Sequence, residues 1–139
     1  MLNLTEARIR EIYEDFASAR LDRLAEAFHP DVDFLSHAPV EFFPYLGHQR
    51  GRTATLSALE QTHQALQITS FFPLAVLING DDAALTVFVD AKLRSTEKSA
   101  NFLAAHFLRF RASQIIQFCS IIDSLDAVRQ LTGRAASVP

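Results

Sequence analysis

The sequence predicts one α+β domain in which three N-terminal helices pack on a strongly curved, mainly antiparallel sheet. Apolar residues recur at helical spacing through the first half of the chain and then alternate at strand spacing. Helices first and hairpin-linked strands after is the order of an α+β fold. The chain has 139 residues, 49% of them hydrophobic, including twelve Phe. A single domain of that size buries about two-thirds of the surface its unfolded chain exposes.

The first helix is capped by Thr5 or Asn3 and carries Ile9, Ile12, Tyr13 and Phe16 on one stripe. A short second helix starts at Asp22 as its cap, turns Leu21, Leu24, Ala25 and Phe28 to one side, and ends at Pro30. Residues 31–36 alternate weakly and read as a short strand. Residues 37–52 contain two prolines and two glycines and read as a long loop, the kind that covers sites. A third helix is expected over 53–66, with Leu56, Leu59, His63 and Leu66 along its face. Strands follow over 68–78, bulged near Pro73, then 83–94, 101–111 and 115–123. Asn79-Gly80-Asp81 marks a hairpin between the first two of these, and Ala112-Ser113 a turn between the last two. Residues 124–131 form a short helix stopped by Gly133, and 134–139 are expected to fray, so the core spans about 4–133. A curved sheet wrapped around one long helix buries all of these faces and leaves a concave side that the helices only partly fill.

Composition narrows the function classes. A net charge of −3 with both signs dispersed offers no basic stripe for nucleic acid. No apolar run reaches the roughly 20 residues of a membrane helix. Cys119 is the one cysteine, and the N-terminus is charged and helix-like, so a cytoplasmic protein without disulfides is expected. No HxH, HExxH or CxxC spacing and no glycine-rich phosphate loop occurs, so neither a metal nor another cofactor is expected.

The stretch NFLAAHFLRF, residues 101–110, sets His106 among Phe102, Ala104, Leu108 and Phe110 on one strand face. Such an imidazole is either tied off by a hydrogen bond in a core or lines a cavity, where burial keeps it neutral and able to pass a proton near neutral pH. A two-residue turn at Ala112-Ser113 would pair Phe110 with Ile115, His106 with Cys119, Ala104 with Ile121 and Phe102 with Asp123. All would share a face, with His106 and Asp123 about 13 Å apart, at two ends of one ligand. Asp123 is then either an acid or base in apolar surroundings or the cap of the final helix. Phe16 and Leu59 from the helix stripes, with Tyr45 and His37 from the long loop, would complete the site. His63 reads as packing, and Cys119 opposite His106 as an inert buried thiol.

The stretches LDRLAEAFHPDVDF, GHQRGRTATLSAL, HFLRFRASQIIQF and IIDSLDAVRQL, in this order, resemble the nuclear transport factor 2-like superfamily over residues 4–133. The SnoaL-like polyketide cyclase and ketosteroid isomerase branch fits best. The resemblance implies a cone-shaped α+β barrel of cystatin-like type, a homodimer formed through the sheet, and an apolar cavity at the wide end. Tyr13 matches the helix-one tyrosine that donates to an oxyanion in the isomerases, and their acidic oxyanion partner falls on or beside His106. Their aspartate base falls on Ser36, which is no base, or on His37 if the loop is one residue shorter. Asp123 matches the late-strand aspartate of the cyclases. The expected function is therefore cofactor-free acid–base chemistry on a small apolar carbonyl or ring compound: isomerisation, dehydration or ring closure. The alternatives are a non-catalytic binder of a small hydrophobic molecule and a dimeric interaction module.

Overall fold

A computed structural model describes residues 3–38 and 43–132. Helices α1 (Glu6–Ala17) and α2 (Leu21–Ala27) lead into strand β1 (Phe28–Ser36), a short β2 (His48–Arg50) and helix α3 (Arg52–Ala65). Strands β3 (Leu66–Asn79), β4 (Asp82–Leu93), β5 (Ser99–Arg111) and β6 (Gln114–Ile122) follow, and α4 (Ser124–Thr132) closes the described chain.

Local chemistry sets the helix ends. The Thr5 hydroxyl accepts from Arg8 N–H at 3.1 Å, satisfying one of the free donors at the start of α1. The Asp22 cap expected for α2 is not formed: Arg20 holds the cap position without a side-chain bond, and Asp22 lies in the first turn. The corner between the two helices is tied instead by Asp15, which is buried and pairs with Arg20 at 2.9 Å and Arg23 at 3.6 Å. Helix α3 starts from Gly51 at φ +90°, a backbone conformation glycine adopts without strain. Arg52 donates twice to Phe28 O, at 2.9 and 2.7 Å, and so pins α3 to the start of β1.

All the strands form one sheet in the order β2-β1-β6-β5-β4-β3. Every pairing is antiparallel except β1 with β6. The sheet has two edges, β2 and β3, so it curves without closing into the barrel that the resemblance implied. Register irregularities at Ile68/Ser70, Pro73/Ala75 and Arg109/Phe110 bend it. Ala112 and Ser113 both have positive φ, 51° and 67°, as a tight two-residue hairpin requires.

Burial along β5 alternates strictly on either side of Phe102, so even-numbered residues face the helices and odd-numbered ones the outside. Ile9, Leu24, Leu108 and Ile115 are among the largest fully buried side chains, each contributing about 1.5–3 kcal/mol of transfer free energy. The opposite sheet face leaves Leu103, Phe107 and Ile121 exposed. No helix among the described residues is long and apolar enough to cross a membrane.

Candidate functional site

Between the helices and the inner sheet face lies a cavity of about 140 Å³. Ile12, Tyr13 and Phe16 of α1 roof it, Leu59 and Thr62 of α3 close one side, and Phe102, Ala104, Phe118 and Ile122 form its floor. Ala38 and Phe43 reach it from either side of residues 39–42. The polar residues in its wall are Tyr13, Ser36, Thr62, His106 and Ser120, and among the described residues that line it none is Asp, Glu, Lys or Arg.

The centre of that wall is a pair joined across the fold. Tyr13 Oη lies 2.6 Å from His106 Nδ1, linking α1 to β5. Both residues are 4% exposed. Phe71 stacks on Tyr13 at 5.5 Å, and Phe118 meets the imidazole edge-on at 4.9 Å. Burial among these rings pushes the His106 pKa down to about 3 and the Tyr13 hydroxyl well above its ordinary value. Both groups are therefore neutral at physiological pH. Among the described residues Nδ1 is the one ring nitrogen of His106 with a hydrogen-bond partner.

A row of inward-facing polar residues continues from His106 across the sheet. Ser120 on β6 sits opposite His106, and Ser36 on β1 sits opposite Ser120. The Ser36 hydroxyl accepts from Ala38 N–H at 3.3 Å, and Thr62 donates to Ala58 O at 2.8 Å.

The expected site is assembled in part. Phe16, Leu59, Phe102 and Ala104 line the cavity with Tyr13 and His106. Leu108 faces inward but packs in the core beyond the cavity wall. Cys119, Ile121 and Asp123 are not in the wall, and the reason is one extra residue. Phe110 pairs with Ile115 as expected, but a bulge follows, and Arg109 pairs with Gln117. From there Leu108 faces Phe118, His106 faces Ser120 and Ala104 faces Ile122. A slip of one residue exchanges the faces of a strand. Cys119 consequently borders a groove with Asp33, Asp82 and Arg109, and Ile121 is 57% exposed. Asp123 is exposed and accepts from Asp126 N–H at 3.1 Å, capping α4.

Of the 37–52 loop, Ala38, Phe43 and Leu46 line the cavity, but the two expected site residues, His37 and Tyr45, do not. His37 is exposed, and its backbone N–H donates to Ser120 O at 2.9 Å. Tyr45 is half-buried against Phe43, its hydroxyl enclosed without a hydrogen-bond partner among the described residues. His63 packs beside Phe16, with Nε2 2.7 Å from Phe16 O, and burial lowers its pKa. Sequence reasoning passed over Ser120 as a wall residue. Its signal is the one that exposed His106: a polar residue set among apolar ones, FCSII at 118–122.

A family model described as a SnoaL-like domain matches residues 9–118. Among curated proteins none matches the chain. Among solved structures, a candidate isomerase from Rhodopseudomonas palustris is 24% identical, with a TM-score of 0.84 over 94% of this chain and 100% of that one. A protein with a ketosteroid isomerase-like fold from Catenulispora acidiphila, crystallised with trimethylamine, is 14% identical, with a TM-score of 0.78 over 98% and 100%. IdmH of Streptomyces antibioticus, a candidate polyketide cyclase, is 19% identical, with a TM-score of 0.74 over 91% and 96%. At these identities the likeness is one of fold.

Proposed function

This chain belongs to the SnoaL-like domain family of the nuclear transport factor 2-like superfamily, and from that premise we propose that it is an isomerase- or cyclase-type enzyme acting on a small uncharged carbonyl compound in its cavity. The observation that carries the proposal is the hydrogen bond between Tyr13 Oη and His106 Nδ1 in a wall that has no charged residue among the described ones. An ionic acid–base pair would be costly there, because transfer of a charge into apolar surroundings is strongly unfavourable. The pair instead works as a neutral relay. In one tautomer His106 Nδ1–H donates to Tyr13 Oη, leaving Nε2 as a base and the Tyr13 O–H as an acid. Substrate C–H gives its proton to Nε2, Nδ1–H passes to Oη, and Oη–H passes to the carbonyl oxygen. The substrate leaves the step as an enol, and the pair ends as the other tautomer, with Nε2–H formed and Tyr13 O–H donating to Nδ1. No group carries net charge before or after the step. Return of the proton to a different carbon completes an isomerisation, and attack of the enol carbon on a second carbonyl begins a ring closure.

The test is exchange of ketone α-hydrogens in D₂O, followed by NMR with a panel of small cyclic ketones and enones. The wild-type protein is expected to exchange them faster than buffer, and Tyr13→Phe or His106→Phe to reduce that rate by about 10² or more. A wild-type rate equal to buffer across the panel would overturn the proposal.

A second reading, a binder that leaves its ligand unchanged, is favoured by the place of Asp123, which caps α4 at the surface rather than meeting the cavity. Under it, ligands bind to wild-type protein without exchange. We propose further that a second copy of the chain covers the outer sheet face. Leu103, Phe107 and Ile121 lie there on the neighbouring strands β5 and β6, 55%, 64% and 57% exposed in the single chain, and a contiguous apolar patch of this kind marks a contact surface.

A further inference from the structure

The polar row across the inner sheet face does more than support the pair at its end. His106, Ser120 and Ser36 face one another across β5, β6 and β1, and all three line the cavity. Neighbouring strands lie about 4.8 Å apart, so the row offers polar contacts at about 5 and 10 Å from the imidazole. The His106 Nδ1 is taken by Tyr13, and the Ser36 hydroxyl accepts from Ala38 N–H. Ser120 differs. It is 7% exposed and stands in the cavity wall, and its hydroxyl is not among the enclosed hydroxyls without a partner, which among the described residues are those of Tyr45 and Thr55. A hydroxyl standing in an otherwise apolar wall is a place where a ligand oxygen gains a hydrogen bond, worth about 0.5–1.5 kcal/mol net. Ser120 makes that contact when the cavity's occupant brings an oxygen to it.

Resting on the function proposed above, we infer that Ser120 is a specificity-determining contact and that the ligand is a neutral compound with two oxygen functions about one ring apart. One oxygen meets the Tyr13–His106 pair and the other meets Ser120. The rest of the wall argues for the class. A cavity of about 140 Å³ matches the size of apolar cavities that hold a benzene-sized molecule. The absence of charged residues among the described lining leaves a carboxylate or ammonium ligand without a counter-charge. Serine donates and accepts, so a carbonyl and a hydroxyl both suit it. A cyclic diketone or hydroxyketone has this shape and polarity.

The experiment compares cyclohexanone with cyclohexane-1,4-dione as probes, titrated by NMR into wild-type protein, Ser120→Ala and His106→Phe. Wild-type protein is expected to bind the dione about threefold to tenfold more tightly, the worth of one net hydrogen bond. Ser120→Ala is expected to abolish that preference, read as the ratio of the two affinities within the variant. Ser120→Cys, close in volume and a poor donor, gives the same result if the alanine variant is destabilised. A wild-type protein with no preference or no binding of either probe, or a preference that survives both substitutions, would overturn the inference. His106→Phe separates the two claims. Unchanged binding of cyclohexanone in that variant sinks the role of the pair, whereas the Ser120 result stands by itself.

Discussion

Acid should weaken this fold through His106 in a way that can be isolated. An unfolded histidine titrates near its ordinary pKa of 6.5, but burial holds the folded one at about 3. Between those values the unfolded chain binds a proton that the folded chain refuses, so stability rises with pH across that window and is lost as pH falls through it. The linkage relation gives a loss of about 2 kcal/mol between pH 7 and pH 5, and about 4–5 kcal/mol by pH 3 if the fold survives so far. Other groups titrate as well, so the measurement is a double difference: urea unfolding of the wild type and of His106→Gln at pH 7 and at pH 5. The glutamine variant lacks the titration at position 106 and keeps the rest. The wild type is expected to lose about 2 kcal/mol more than the variant. A double difference within about 0.5 kcal/mol of zero would mean that the folded imidazole takes up a proton as readily as the unfolded one, and the argument for a neutral pair would fail.

The same burial predicts a flat pH–rate profile. Because His106 is held at about 3 and Tyr13 above its ordinary value, kcat for any exchange or isomerisation found should vary less than about twofold from pH 6 to pH 9, and a bell centred near 6.5 would refute the relay. Asp123→Ala should lower stability by about 1 kcal/mol through loss of the α4 cap, measured by chemical denaturation, with ligand affinity unchanged; a fall in affinity would return Asp123 to the site. Phe107→Asp on the outer face should convert a dimer to a monomer in analytical ultracentrifugation without lowering ligand affinity, and a wild-type protein that is already monomeric at high concentration would refute the sheet contact.

What the sequence revealed, and what it concealed, follows from whether the signal is local. Alternation in NFLAAHFLRF places His106 inward whatever the rest of the chain does, and Asn79-Gly80-Asp81 and Ala112-Ser113 declare their hairpins by turn chemistry. The bulge after Ile115 has no such mark. Its residues are ordinary isoleucines, and IIQFCSII is apolar on both faces, so either register buries something oily. That one extra residue removed Cys119, Ile121 and Asp123 from the predicted wall and brought in Ser120. β2 is three polar residues inside a loop, too short for a period to show. β1 begins at Phe28 although Pro30 follows, because its pairing with β6 is irregular between Phe28 and Asp33, where a missing N–H is tolerated. The parallel match of β1 to β6 joins segments that share no turn. Of the pair at the centre, each member was visible singly, but their contact spans 93 residues and follows from the packing of α1 on the sheet.

Whether that pair exists for packing or for a ligand can be decided by a mutant cycle. Either single substitution leaves a buried polar atom without its partner: Tyr13→Phe orphans Nδ1, and His106→Leu orphans the hydroxyl, each at a cost of about 1–3 kcal/mol. Making both removes the two polar groups together, and replacement of a buried hydrogen-bonded pair by apolar side chains of similar shape is close to neutral. The double variant should therefore be less destabilised than the sum of the singles by about 1–3 kcal/mol in urea unfolding, and additive losses would mean that the contact is not formed. Its affinity for ketones is the deciding readout. If an apolar pair restores the fold and still holds cyclohexanone as tightly, the imidazole is a core residue tied off by a phenol. If the fold returns and the affinity does not, the cavity uses the pair, because packing alone has been given back.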